Sequence, residues 1–250
     1  MTVAASPFGI QFFSGSKSQT RDEILKLRAQ KRASSVIFAN AHVVVEARQN
    51  APVNEALKKS DLVVPDGVPI VWTMHALGDK KAERYSGPDL MEDLFEATKD
   101  RRHFFLGSTS DVLEKIKGRF KGIAAGYYSP PFAETFSEAE IQKQLEVIDK
   151  SGADFIWVGL GAPKQEKYVV EMARRANSGV WLAVGAALDF YSGNKSRAPQ
   201  TLQKVGLEWA YRMFTEPKRL AIRYFKTNPK FIKLALAEIA KAYLGKRKTS

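Results

Sequence analysis

Pro65-Asp66-Gly67 closes a short apolar run and opens a helical pattern. A carboxylate there can act as a general base for an attacking hydroxyl when burial lifts its pKa toward neutrality. The plainer reading is an N-cap or turn, which Asp-Gly favours. Gly159-Leu160-Gly161-Ala162-Pro163-Lys164-Gln165-Glu166 follows a second apolar run. Gly159 and Gly161 let backbone approach a ligand, and a helix starting near Pro163 offers free N–H groups to a diphosphate. Lys164 stands where a dinucleotide fingerprint needs its third glycine, so that fingerprint is absent. A structural glycine turn, with Gln165 and Glu166 as ordinary first-turn residues, competes with this reading. Glu83-Arg84-Tyr85-Ser86-Gly87-Pro88-Asp89 turns into another helical pattern. Asp89 suits a first helical turn, and Arg84 suits pairing with a phosphate or carboxylate.

The C-terminal quarter is the fourth stretch. Residues 195–250 hold 14 Lys/Arg against 3 Glu, and residues 1–194 hold 25 against 24 Asp/Glu, so the net charge of +12 is concentrated there. From Glu208 to Phe225 arginines alternate with aromatics. Asn228 to Leu244 reads as an amphipathic helix, with Ile232, Leu236, Ile239 and Tyr243 on one face and Lys230, Lys233 and Lys241 roughly opposite. Such a helix either packs on the body with its lysines in water or lies in an anionic membrane interface, each cation contributing roughly 1 kcal/mol. A nucleic-acid surface with stacking aromatics is the alternative from another class. His42, His75 and His103 share no metal-ligand spacing, and His103, opening a strand, reads as structural. No Asp-x-Asp pair is present to hold a divalent cation. Neither metal nor cofactor is therefore expected, and Arg212, Arg219 and Arg223 are the candidate cations for a leaving diphosphate.

Short apolar runs at 35–39, 62–64, 103–106, 154–158 and 180–184, with a weaker one at 122–128, predict strands. Helices are predicted near 41–50, 68–77, 88–99, 110–120, 137–150 and 163–177. This alternation predicts an α/β fold: a mostly parallel, Rossmann-like sheet with helices on both faces. Ligands bind such sheets beyond the carboxyl ends of the strands, where the Asp66 and Gly159–Gly161 turns fall. After Gly193 the strand patterns stop. Residues 1–194 are expected to form the catalytic body, and 195–250 a basic helical C-terminal appendage interrupted at Pro217 and Pro229. The absence of cysteine excludes a disulfide framework and thiolate chemistry. Residues 1–13 lack a signal-peptide pattern and no apolar run reaches membrane-span length. A soluble or peripheral cytoplasmic protein is expected.

Together these motifs resemble the WecG/TagA/CpsF family of bacterial glycosyltransferases, over roughly residues 35–226. The resemblance is carried by Asn40 after a strand, Pro65-Asp66-Gly67, Glu83-Arg84 with Gly87 and Asp89, and the 159–166 run. It continues through Gly185 to Gly193, Arg197-Ala198-Pro199, Gly206-Leu207-Glu208-Trp209 with Arg212, Glu216-Pro217, and Arg219 to Arg223-Tyr224. It implies a metal-independent, inverting transfer from a UDP-sugar to a polyprenyl-diphosphate-linked saccharide in cell-surface polysaccharide synthesis. Asp66 matches the family's general base, Asn40 and Arg84 match pocket residues, and Gln165 and Glu166 match the helix start at the nucleotide-sugar site. Gly67 and Asp89 accompany them. The appendage is implied to dock on the anionic inner face of the cytoplasmic membrane and bring its arginines over the site. No nucleic-acid partner is implied, and homo-oligomer formation is left open. Phe38 stands where the family often has Thr.

Overall fold

The computed structural model describes residues 6–199, 201–202 and 207–247, and the side chains of these except 217–219 and 245–247. Six strands form one all-parallel sheet: β1 (Ser34–Ala39), β2 (Leu62–Pro65), β3 (Arg102–Gly107), β4 (Ile123–Tyr128), β5 (Phe155–Gly159) and β6 (Val180–Ala183), in the order β2-β1-β6-β5-β3-β4. The apolar runs of β1, β2, β5 and β6 follow from this arrangement, because a sheet covered on both faces buries both sides of a strand; β4, at the sheet edge, has no buried residue. Ile37 and Ala39 of β1 enter one core with Trp181, whereas Val36 and Phe38 enter the other with Trp157.

The first core is covered by α2 (Ala41–Gln49), α3 (Ala51–Lys59), α7 (Glu138–Ser151) and α8 (Lys164–Arg175). The second lies under α1 (Lys17–Ala29), α5 (Gly87–Ala97), α6 (Ser110–Arg119) and α9 (Ala187–Tyr191). Helix α4 (Val68–Ala76) adds Ile70 and Met74 to the first core. The expected fold class is the one observed. Helices α1 and α3 lie outside the predicted elements, and the predicted 41–50 helix is followed at once by α3, since Asn50 ends α2 and caps α3.

Beyond the sheet, α10 (Glu208–Thr215) precedes α11 (Pro217–Arg247). The break at Pro217 is real, for that residue opens α11. Pro229 lies inside α11 and does not end it. Leu220, Thr227 and Phe231 are buried, and Phe231 meets Phe8 at 5.4 Å between ring centroids. The helix packs on α2 and on the 3-10 turn Pro7–Gly9.

Register sets the ligand edge. Ala39 pairs with Pro65, Ile37 with Ala183 and Val158 with Ala183, so the turns after β2, β1, β6 and β5 emerge side by side. The connection leaving β5 runs to β6 on one side and that leaving β3 runs to β4 on the other, so the carboxyl ends of β5 and β3 flank a topological switch point. Gly107 and Gly159 allow β3 and β5 to approach: a Cβ on Gly107, at φ +100°, would stand 2.5 Å from the Gly159 carbonyl oxygen. Gly107→Ala is therefore expected to destabilise the fold by about 2 kcal/mol or more, measured as a lowered urea midpoint. An unchanged midpoint would contradict this close approach.

Candidate active site

Asp66 does not cap α4. Gly67 occupies the N-cap position, at φ +145°, without a side-chain cap, and leaves the Asp66 carboxyl free for other work. The backbone of this turn is pinned: Asp66 N–H donates to Ala39 O at 3.0 Å and Tyr85 N–H to Pro65 O at 3.2 Å. The second bond brings the Arg84 segment beside Asp66. Arg84 Nε lies 3.9 Å from Asp66 Oδ1, while its Nη2 donates to Glu208 Oε2 at 2.6 Å. Asp89, in the first turn of α5, pairs with Arg197 and with Lys17 at 3.2 Å. Arg197 also reaches Ser86 Oγ at 3.3 Å and Glu208 Oε1 at 3.9 Å.

Burial pushes the Asp66 carboxyl up to about 6, against the pull of Arg84; Glu208 and Asp89 push the same way as burial, and Arg212 opposes them. With 23% of its side chain accessible, the group remains reachable. A carboxylate poised near neutrality and open on one side is equipped to accept a hydroxyl proton.

Asn40 stands next to this turn. Its side-chain oxygen caps α2 by accepting from His42 N at 3.0 Å and Val43 N at 3.3 Å. The position of a Cβ on Gly67 would be 3.8 Å from Asn40 Cβ. His42 is held well below its usual range, at about 4, by burial and by Arg223, and its Nδ1 lies 3.4 Å from Thr227 Oγ1 of α11. His103 is structural: fully buried, it accepts from Trp157 Nε1 at 3.1 Å, and burial lowers it to about 4.

Across the edge, Gly161 takes φ +78° and donates its N–H to Gln165 Oε1 at 3.1 Å. Gln165 Nε2 donates to Glu166 Oε1 at 3.0 Å and to Ala183 O at 3.3 Å, tying the β5 turn to the end of β6. Gln165 and Glu166 are thus buried groups rather than exposed first-turn residues. Burial raises Glu166 to about 7, and Arg223 from α11 acts against this. Pro163 is the N-cap residue of α8. Lys164 reaches outward, donating to Ala133 O at 2.6 Å with its ammonium 3.5 Å from the Phe136 ring centroid.

The appendage supplies Arg212, 5.3 Å from the Phe190 ring and 3.9 Å from Glu216 Oε1. Lys195 bridges Asp189 at 3.5 Å and Glu216 at 3.0 Å. The side chain of Arg219 lies outside the described residues. Two clusters emerge, one at Asp66 with Arg84, Asp89 and Arg212, the other at Glu166 with Gln165, His42 and Arg223. Glu208 and Arg197 were not among the candidate site residues, since nothing in sequence spacing announces pairs more than a hundred residues apart.

Residues 5–244 match the model of the glycosyl transferase WecG/TagA/CpsF family. The chain belongs to this family and is a glycosyltransferase. It is 31% identical over 217 residues, 83% of this chain and 80% of the relative, to an N-acetylglucosaminyldiphosphoundecaprenol N-acetyl-beta-D-mannosaminyltransferase of Bacillus spizizenii. Over 249 residues, 96% of this chain and 94% of the relative, it is 26% identical to a protein of the same name from Staphylococcus aureus. These relatives give the nucleic-acid alternative no support. Among the described residues of this glycosyltransferase, no group of three or more His, Asp or Glu is arranged to hold a metal ion, and no helix is long and apolar enough to cross a membrane.

The raised Asp66 pKa has a stability consequence. The folded state holds this proton more tightly than a chain with the ordinary value of 3.8, up to about 6. Its contribution is full below 3.8 and is lost as pH rises through about 6. Asp66→Asn is therefore expected to gain about 1–3 kcal/mol relative to wild type between acid and neutral pH, read from denaturant melts at several pH values. A constant difference across that window would contradict the assignment.

Proposed function

We propose that this glycosyltransferase moves an N-acetylhexosamine from a UDP-sugar to a saccharide carried on polyprenyl diphosphate, inverting the anomeric centre, at the cytoplasmic face of the membrane. The observation that carries the reading is Asp66: a reachable carboxyl raised to about 6, beside Arg84 and within the field of Arg212 from the appendage. The relatives named above act on a diphosphoundecaprenol-linked N-acetylglucosamine. An acceptor of that class supplies the hydroxyl.

In the reaction, the acceptor oxygen attacks the anomeric carbon from the face opposite the departing diphosphate while Asp66 takes its proton. The new C–O bond forms as the bond to UDP breaks, and the electron pair leaves with the diphosphate. Cationic side chains offset that developing charge. Arg84 and Arg212 flank the base, and Arg223 lies toward Glu166. The Gly159–Gly161 turn and the start of α8 suit the diphosphate, because glycine lets backbone approach a ligand and the positive end of the helix dipole favours an anion there.

Residues 1–194 act in this reading as the catalytic body and 195–250 as the segment that completes the site and meets the membrane. Helix α11 has two apolar faces. One packs on α2 through Thr227 and Phe231; the other leaves Ile222, Phe225, Ile232, Leu236 and Tyr243 exposed. The exposed stripe spans about 80° on a helical wheel, with Lys226 and Lys233 along one border. An amphipathic stripe bordered by cations fits the interface of an anionic bilayer. The sequence had set the apolar face of this helix against a lysine face; the body-facing side comes instead from Leu220, Thr227 and Phe231.

Asp66→Asn is expected to lower transfer by about 10²–10⁴-fold with UDP affinity retained, measured with a UDP-N-acetylhexosamine and a short polyprenyl-diphosphate N-acetylglucosamine acceptor. Near-native turnover would remove Asp66 as the base. Truncation after Asn194 is expected to abolish both sedimentation with anionic liposomes and transfer. Retained turnover on the lipid acceptor would contradict the role given to the appendage.

A further inference from the structure

Arg84 stands between two carboxylates. Its Nη2 is bound by Glu208 at 2.6 Å, whereas its Nε is 3.9 Å from Asp66, too long for a direct hydrogen bond. The stronger partner comes from the first residue of α10, in the appendage, not from the β2 turn. Glu208 is itself largely buried, with 13% of its side chain accessible, and its other oxygen faces Arg197 at 3.9 Å. Arg197 is in turn held by Asp89 and Ser86.

This arrangement decides what Asp66 can do. An arginine alone beside a carboxylate tends to close onto it as a two-bonded fork, which occupies the oxygens and favours the charged form. We propose that Glu208 is a positioning residue that draws Arg84 off Asp66, keeping the oxygens of the base open to the acceptor hydroxyl. The base would then be armed by the appendage: the same helix that brings Arg212 also brings the anion that restrains Arg84.

The charges facing Asp66 are Arg84 from the segment before α5, Asp89 from α5, and Glu208 and Arg212 from α10. Glu208 and Asp89 favour the protonated form, the two arginines the charged form. Removing the Glu208 charge acts twice in one direction, because a nearby anion is lost and Arg84 is released toward Asp66. Both changes make the Asp66 carboxyl more acidic. The kinetic meaning rests on Asp66 being the base; the geometry and the titration do not.

The test uses full-length protein labelled with 13C at the aspartate carboxyl, with the Asp66 signal assigned by its disappearance in Asp66→Asn. The Asp66 titration midpoint is expected near 6 in wild type. In Glu208→Gln, which keeps a neutral acceptor for Arg84, it is expected to move about one pH unit to the acid side. Glu208→Asp should restore most of the wild-type midpoint. Amide exchange across 208–215 in Glu208→Gln should match wild type. An unmoved midpoint overturns the proposal, and so does faster exchange across 208–215, which would make Glu208 an anchor for the appendage. Transfer by Asp66→Asn separates the two ideas: activity there removes the base assignment while leaving the titration result to judge Glu208.

Discussion

The site depends on a balance between one buried carboxyl and the arginine beside it. A base sunk at a sheet edge must be desolvated enough to hold a proton near neutral pH, yet cations must stand nearby for a leaving diphosphate. Those demands oppose each other, since every cation near a carboxylate favours its charged, less basic form. In this chain burial dominates and sets Asp66 at about 6. Arg84 is kept at 3.9 Å from it and is bonded instead to Glu208. The cation is present without closing onto Asp66.

The rest of the fold serves that balance. Parallel pairing lines up the turns after β2, β1, β6 and β5, so Asp66, Asn40 and the Gly159–Gly161 turn share one edge. Backbone bonds from Asp66 to Ala39 and from Tyr85 to Pro65 lock Asp66 and the Arg84 segment to adjacent strands. Gln165 ties the β5 turn to Ala183 on β6, giving the opposite wall a fixed geometry. Helix α11 roofs the β1 side through His42, Thr227 and Phe231.

Much of this was legible in the sequence, for identifiable reasons. The central strands read cleanly because they are apolar over most of their length, as at Phe155–Gly159, whereas the edge strand β4 is poorly buried and gave only a weaker pattern. The turns read cleanly because glycine marks positions such as Gly67 and Gly161, whose positive φ excludes most side chains. Helix α1 was missed because Lys17–Ala29 is mostly polar and buries only Thr20, Ile24 and Leu27. Helix α3 was hidden by Asn50 serving two helices. Pro229 suggested a break that α11 does not make; the residue lies on the exposed side, away from Phe231. Glu166 read equally as a helix-start residue and as part of a ligand turn, because its burial comes from tertiary packing that no local pattern encodes. The pairing of Arg84 with Glu208 is of the same kind, a contact across 124 positions.

The most direct test of the central claim is the pH dependence of kcat/KM for the wild-type enzyme on its lipid-linked acceptor at fixed ionic strength. Proton removal by Asp66 predicts a rate that rises with unit slope from acid and levels off above a single midpoint near 6. A profile that stays flat from pH 5 to 8, or whose acid limb persists in the residual activity of Asp66→Asn, would contradict it.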